Sequence, residues 1–343
     1  MENRTFKQFI SDYSIWGFAF GYFACYIPYS LLTKIMSKGL LPSLDGTGLA
    51  GFSILPVTAI ATLATMIIVI STLGWWKYAK HSTIFGISVP HPTKWTLLSG
   101  IFTSLIIGTT TLAYTFEGVS IVLAMLLMRG GVLIIAPIVD TITKRHVRWF
   151  SWIGLVGALS ALLIPIFDAK GFHIPLLLGI VIAIYLFSYF MRFQFMSRNA
   201  KSDKKEVNLR YFVEEQMVST PVLVITLAIF ALLKGDIGES VRMGWTMHWD
   251  QPYLWALLLI GALSQGTGFF GTLVFLDKNE NTYCIPVNRS SSILAGIIAA
   301  FLLSLFPNQG LPRTSQLIGA GIIIVSILFL TIPPMIQKKR VKT

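Results

Sequence analysis

Residues 119–140 read VSIVLAMLLMRGGVLIIAPIVD, and Arg129 is the one charge between Val119 and Val139. At a rise of 1.5 Å per residue, a helix of this length measures about 33 Å, close to the roughly 30 Å of a bilayer's hydrocarbon core. The apolar run is unbroken. A barrel strand would instead alternate over about ten residues. An arginine in the middle of such a span costs about 2.5–3.5 kcal/mol on insertion scales, and by default it marks a ligand path.

The rest of the chain repeats the pattern. Of its residues 54% are hydrophobic and 12% charged, with a mean hydropathy of +0.71. A soluble domain carries roughly 25% charged residues, so lipid must form part of this chain's solvent. The backbone is then satisfied only by helices or a closed barrel. Ten segments have the length of a span: 14–36, 50–74, 96–115, 119–140, 149–167, 173–195, 211–233, 252–276, 283–305 and 315–335. Only a tight turn at Phe116, Glu117 and Gly118 divides the third from the fourth. The expected fold class is therefore an all-α membrane protein of about ten transmembrane helices.

Lys and Arg set the orientation. With the N-terminus inside, 19 of the 27 fall on the cytoplasmic side and six outside, leaving Arg129 and Arg289 within spans. Arg192, Arg198, Lys201, Lys204, Lys205 and Arg210 all belong to the cytoplasmic set. Both termini are then cytoplasmic, which requires an even number of spans. No cleavable signal is expected, because the first dozen residues are polar and the first apolar run lacks a small-residue cleavage site. The polar stretch SRNAKSDKKEVNLR at 197–210 marks a linker, 196–210, between a first five-helix repeat at 14–195 and a second at 211–336.

The halves share a signature. Met128-Arg129-Gly130-Gly131 and Asn288-Arg289-Ser290-Ser291 superpose on a shift of 160 residues, each arginine followed by two small residues. Five spans per half is odd, so the repeats must be inverted, a plan that places the substrate near the bilayer midplane. Three stretches carry a family resemblance: WGFAFG at 16–21, TLAYTFEGVSIVLAMLL at 111–127 and QLIGAGIIIVSI at 316–327. In them the chain resembles the drug/metabolite transporter superfamily, in particular its EamA-like members. That resemblance implies a secondary transporter of two inverted five-helix repeats in a bacterial cytoplasmic (inner) membrane.

The candidate chemistry starts from the two arginines. Arginine recognises carboxylate or phosphate through a bidentate fork, and an inverted repeat sets Arg129 and Arg289 beside one central cavity. Their neighbours Asn288 and Ser290, with Gln265 in span eight and Thr110 in span three, complete the expected substrate-binding set. The bland reading is that each arginine bonds backbone carbonyls or a buried acid and fixes packing. Glu214 and Glu215 at the start of span seven are either proton-coupling carboxylates or interfacial acids paired with Arg210. Gly46–Gly51 and Gly266–Gly271 imitate a dinucleotide fingerprint but lack the preceding strand it requires. Cys25 and Cys284 and the five histidines make no metal or disulfide spacing.

The expected function is a secondary transporter for a small anionic solute, rocking one five-span half against the other. Its partners are that solute and the bilayer, with homodimerisation left open and no nucleic acid, cofactor or metal. A flippase for a phosphate-bearing lipid or lipid carrier is the alternative. An enzyme is disfavoured, since the spans hold no nucleophile or acid/base constellation, and a non-transporting receptor is a lesser alternative.

Overall fold

The structure is a computed structural model, and it describes residues 15–84, 86–113, 121–168, 176–307, 309–312 and 314–340. Ten long helices fall on the ten expected segments: α1 Ile15–Ser37, α2 Gly51–Thr72, α3 Lys94–Ala113, α4 Ile121–Ile142, α5 Trp149–Asp168, α6 Leu176–Asn199, α7 Lys205–Phe230, α9 Leu254–Phe275, α10 Asn281–Leu303 and α11 Thr314–Arg340. A short amphipathic helix, α8 Asp236–Thr246, lies between α7 and α9. The turn expected at Phe116-Glu117-Gly118 and the start of span six at 173–175 lie outside the described residues. Six helices, α1, α2, α6, α7, α9 and α10, are long and apolar enough to cross a membrane. The molecule is thus a largely helical chain with the makings of a multi-pass membrane protein.

Two features depart from the all-α expectation and from the linker boundaries. Lys80–Ile84 (β1) and Ile87–His91 (β2) pair antiparallel, Lys80 opposite His91 and Ile84 opposite Ile87. Gly86, at φ +79°, supplies the positive φ that a tight hairpin turn needs. The segment is polar and each strand is only five residues long, so it carries no span signal in the sequence. The second departure is at the linker: α6 runs on to Asn199 and α7 begins at Lys205, leaving five residues between them, with six long helices before that link and four after it, so two sets of five divide between α5 and α6 rather than at 196–210. Glu214 and Glu215 therefore sit in the third turn of α7 rather than the first.

Packing sorts the helices into two groups. In one, α1 packs on α9 and α10, and α2 on α9. In the other, α6 packs on α3 and α4, and α3 on α7. Contacts of α2 with α7 and of α4 with α10 join the groups, and α5 pairs with α11. Small residues allow the closest approaches. A Cβ on Gly261 would meet Thr58 O at 2.4 Å, and Thr62 Oγ1 donates to Gly261 O at 3.0 Å, so α2 and α9 pack backbone to backbone. Helix starts are anchored by carboxylates from neighbouring helices. Glu214 accepts from Lys80 N, Thr93 N and Thr96 Oγ1 at 3.1, 3.1 and 2.7 Å, fixing the hairpin and the head of α3.

Candidate functional site

Two tyrosine pairs build the site. Tyr22 and Tyr26 on α1, and Tyr185 and Tyr189 on α6, are each four residues apart and so share one helix face. The rings of each pair lie together, with centroids 5.5 Å and 4.8 Å apart. One arginine stacks on the second member of each pair. Arg129 Cζ lies 5.0 Å from the Tyr26 ring centre, and Arg289 Cζ 4.9 Å from that of Tyr189. Such cation–π contacts hold a guanidinium without neutralising it.

The two arginines differ in what else they touch. Arg129 donates from Nη1 to Ser292 Oγ at 2.8 Å and from Nη2 to the Tyr26 hydroxyl. Arg289 lies over the Tyr189 ring at 4.9 Å and within 6.0 Å of the Phe275 ring, and is 4% exposed. Its Nε and Nη2 are buried without a hydrogen-bond partner, and among the described residues no carboxylate lies within 4.0 Å of it. Position 132, 160 residues before Ser292, is Val. The Ser292 hydroxyl that serves Arg129 therefore has no counterpart at the equivalent position, and the side-chain hydrogen bond of Arg289 goes to Tyr189 instead.

Asn288 adds a third buried donor without a partner, its Nδ2. A Cβ on Gly271 would meet both the Tyr22 ring (3.1 Å) and Asn288 Nδ2 (3.3 Å), so both groups border the same close approach of α9. Tyr22 also lies within electrostatic reach of both arginines. Ser290 Oγ is buried and unpaired as well, but consecutive helical residues point about 100° apart, so Ser290 looks away from Arg289. A buried donor left unmade costs roughly 1–3 kcal/mol, so Arg289 and Asn288 form a costly arrangement for the empty protein.

Gln265 is buried and donates from Nε2 to Gln216 Oε1 at 3.0 Å, joining α9 to α7. The Thr110 hydroxyl donates to Ile106 O at 2.6 Å on its own helix. Glu214 is fully buried and holds the hairpin and α3, with Arg210 3.7 Å away.

Glu215 joins the polar layer through a residue that the loop assignment misplaced. Arg192 belongs to α6, 4% exposed, and grips Glu215 with both arms, at 2.9 Å from Nε and 2.6 Å from Nη2. Ser99 and Thr103 donate to the same carboxylate at 2.6 and 3.1 Å, and Arg192 Nη2 also reaches Thr272 Oγ1 at 2.9 Å. Arg192 Cζ lies 5.9 Å from the Phe275 ring that also faces Arg289. Sequence reasoning missed Arg192 because it counted positive charges near span ends as loop charges. It missed the tyrosine pairs too, although Tyr22-x-x-x-Tyr26 and Tyr185-x-x-x-Tyr189 recur five spans apart, in the first and sixth of the ten segments.

No family model and no curated protein matches the chain. One similar solved structure is the crystal structure of a protein with 14% sequence identity and a TM-score of 0.58. The match covers 95% of this chain and 98% of that one, so the similarity concerns the whole fold and the fold alone.

Proposed function

We propose that this chain is a secondary transporter that moves a small organic anion across the bacterial cytoplasmic membrane, with Arg289 recognising the anionic group. The observation that carries the reading is the state of Arg289: buried against the Tyr189 and Phe275 rings, with Nε and Nη2 lacking hydrogen-bond partners and, among the described residues, no acid beside it. A purely structural arginine would have its donors satisfied, as Arg192 does. The unpaired atoms at Arg289 and Asn288 are all donors, which suits the acceptor-only oxygens of a carboxylate or phosphate.

In this reading all ten long helices cross the bilayer as two inverted repeats, in keeping with the resemblance to EamA-like transporters. The packing supports the repeat. Moving five spans along the chain turns α1·α9 into α6·α3, α1·α10 into α6·α4, and α2·α9 into α7·α3, and all six pairs occur. The same step maps α2·α7, α4·α10 and α5·α11 onto themselves. The moving bodies are then not the sequence halves. Each body mixes both, α1, α2, α9 and α10 against α3, α4, α6 and α7, with the arginines on opposite sides of the division. The four bonds that Arg192, Ser99 and Thr103 make to Glu215 favour an anchoring role for that carboxylate over proton coupling.

The test is uptake into vesicles containing the purified protein, with labelled inorganic phosphate, glucose 6-phosphate, succinate and AMP as probes. Uptake of at least one, abolished in Arg289→Ala, supports the reading. Uptake of neutral or cationic solutes only, unchanged in that variant, overturns it. Lipid-phosphate translocation without solute uptake would favour a flippase.

A further inference from the structure

The helix that carries Arg289 begins in an unusual way. Glu280, its N-cap residue, makes no side-chain cap bond. The first free N–H groups of α10 go instead to Asp140, at the end of the helix that carries Arg129. Asp140 Oδ1 accepts from Asn281 N and Nδ2 at 2.9 and 2.8 Å, and Oδ2 from Thr282 N and Oγ1 at 2.7 Å each. The carboxylate has no exposed surface. Four bonds and a helix N-terminus satisfy its charge.

Around this clasp lies a belt of polar links at the same end of the bundle. Asn281 Nδ2 also reaches Ser197 Oγ on α6 at 2.8 Å. Glu280 accepts from Arg148 Nε at 2.9 Å and Ser151 Oγ at 2.6 Å. Arg145 reaches Lys278 O and Ser197 O, each at 3.2 Å, and Lys201 Nζ reaches Phe275 O at 2.8 Å. Most of these links cross from the group of α4 and α6 to the group of α9 and α10.

The burial of α10 is correspondingly one-sided. All residues from Asn281 to Ser292 are buried, whereas from Ile293 to Leu303 only Ala295 and Ala299 are. The polar belt thus lies at the fully buried end of the helix that carries Arg289. We infer that Asp140 and the start of α10 form a latch that closes this face of the transporter and must release before solute can leave through it. The inference rests on the transport reading of the Arg289 site.

Cys284, fully buried one turn below the clasp with Lys201 Nζ at 3.5 Å from its sulfur, is a built-in reporter. In a Cys25→Ser background, N-ethylmaleimide labelling of Cys284 in the purified protein reads opening without any substrate. Asp140→Asn and Thr282→Val attack the clasp from its two ends, and each is expected to speed labelling about tenfold, the factor equivalent to about 1.4 kcal/mol. Because they break shared bonds, the double variant should label little faster than either single one, whereas general loosening would add. Ser304→Ala, at the other end of α10, should change nothing. In a Cys25→Ser, Cys284→Ser background, a disulfide between Asp140→Cys and Thr282→Cys should stop uptake and restore it on reduction, while anion-induced thermal stabilisation persists. Unchanged labelling in both clasp variants, or full-rate uptake by the cross-linked protein, overturns the latch. A parent protein that binds and carries no anion defeats the transport reading instead, and the labelling result stands apart from it.

Discussion

Arg129 and Arg289 are joined through one hydroxyl: Arg129 Nη1 donates to Ser292 Oγ at 2.8 Å, and Ser292 donates onward to the backbone carbonyl of Arg289 at 2.8 Å. The arginine of α4 is thereby tied to the turn of α10 that carries its counterpart. A ligand that draws Arg129 away from Ser292 removes the bond this hydroxyl accepts and leaves the bond it donates to the Arg289 carbonyl. Under the proposed function, this link lets the two arginines act as one site across the division between helix groups.

Ser292→Ala tests that tie. Losing one buried hydrogen bond is worth about 0.5–1.5 kcal/mol, so anion affinity should fall roughly three- to tenfold. Isothermal titration with a ligand found by screening measures it. An unchanged affinity would mean that the two arginines act independently.

Arg289→Met separates function from stability. The substitution keeps length and packing but removes two buried donors that have no partner. The ligand-free protein should hold or gain stability, up to about 1–3 kcal/mol, while its response to anions disappears. Thermal denaturation in detergent reads both effects. A large loss of stability would mark Arg289 as a structural residue.

Arg192 and Glu215 should behave in the opposite way. Removing one partner of a buried ion pair costs about 3–5 kcal/mol, because the other charge is left uncompensated. Arg192→Met and Glu215→Gln are each expected to lower the denaturation temperature sharply, and Arg192→Met with Glu215→Leu to recover much of the loss. Failure of the double variant to recover would show that Ser99, Thr103 and Thr272 matter more than the charge pair.

The helices were legible because a span must be long and apolar wherever it lies, and each expected segment contains one. The hairpin at 80–91 and α8 were not, since both are too short and polar to give a membrane signal. Arg129 and Arg289 stood out as charges in apolar runs. Arg192 did not, because four turns of α6 beyond Leu176 carry it close to a polar loop, and only the fold shows Glu215 opposite it. The role of Asp140 is hidden for the same reason: its partners, Asn281 and Thr282, lie 141 and 142 residues away.

His248, between α8 and α9, gives a pH signature outside the spans. Burial lowers its pKa below the ordinary value, against a weaker opposing bond to the Ser53 backbone. The fold therefore favours the neutral ring. Stability is fully present above the unfolded value, about 6.5, and is lost as pH falls through the depressed folded value. Denaturation temperatures measured between pH 8 and 5 should decline, and His248→Gln should flatten the decline. An equal slope in the variant would assign the effect to another group.

The most direct test of the central claim is ligand-dependent thermal stabilisation of the purified parent protein and Arg289→Ala, screened against carboxylates, sugar phosphates, nucleotides and lipid phosphates. A ligand that binds only the folded state raises apparent stability by mass action, by about 2.7 kcal/mol at a hundred times its Kd. The expected result is stabilisation by at least one anion, absent in Arg289→Ala. Stabilisation by neutral or cationic solutes alone, equal in both proteins, would contradict the account.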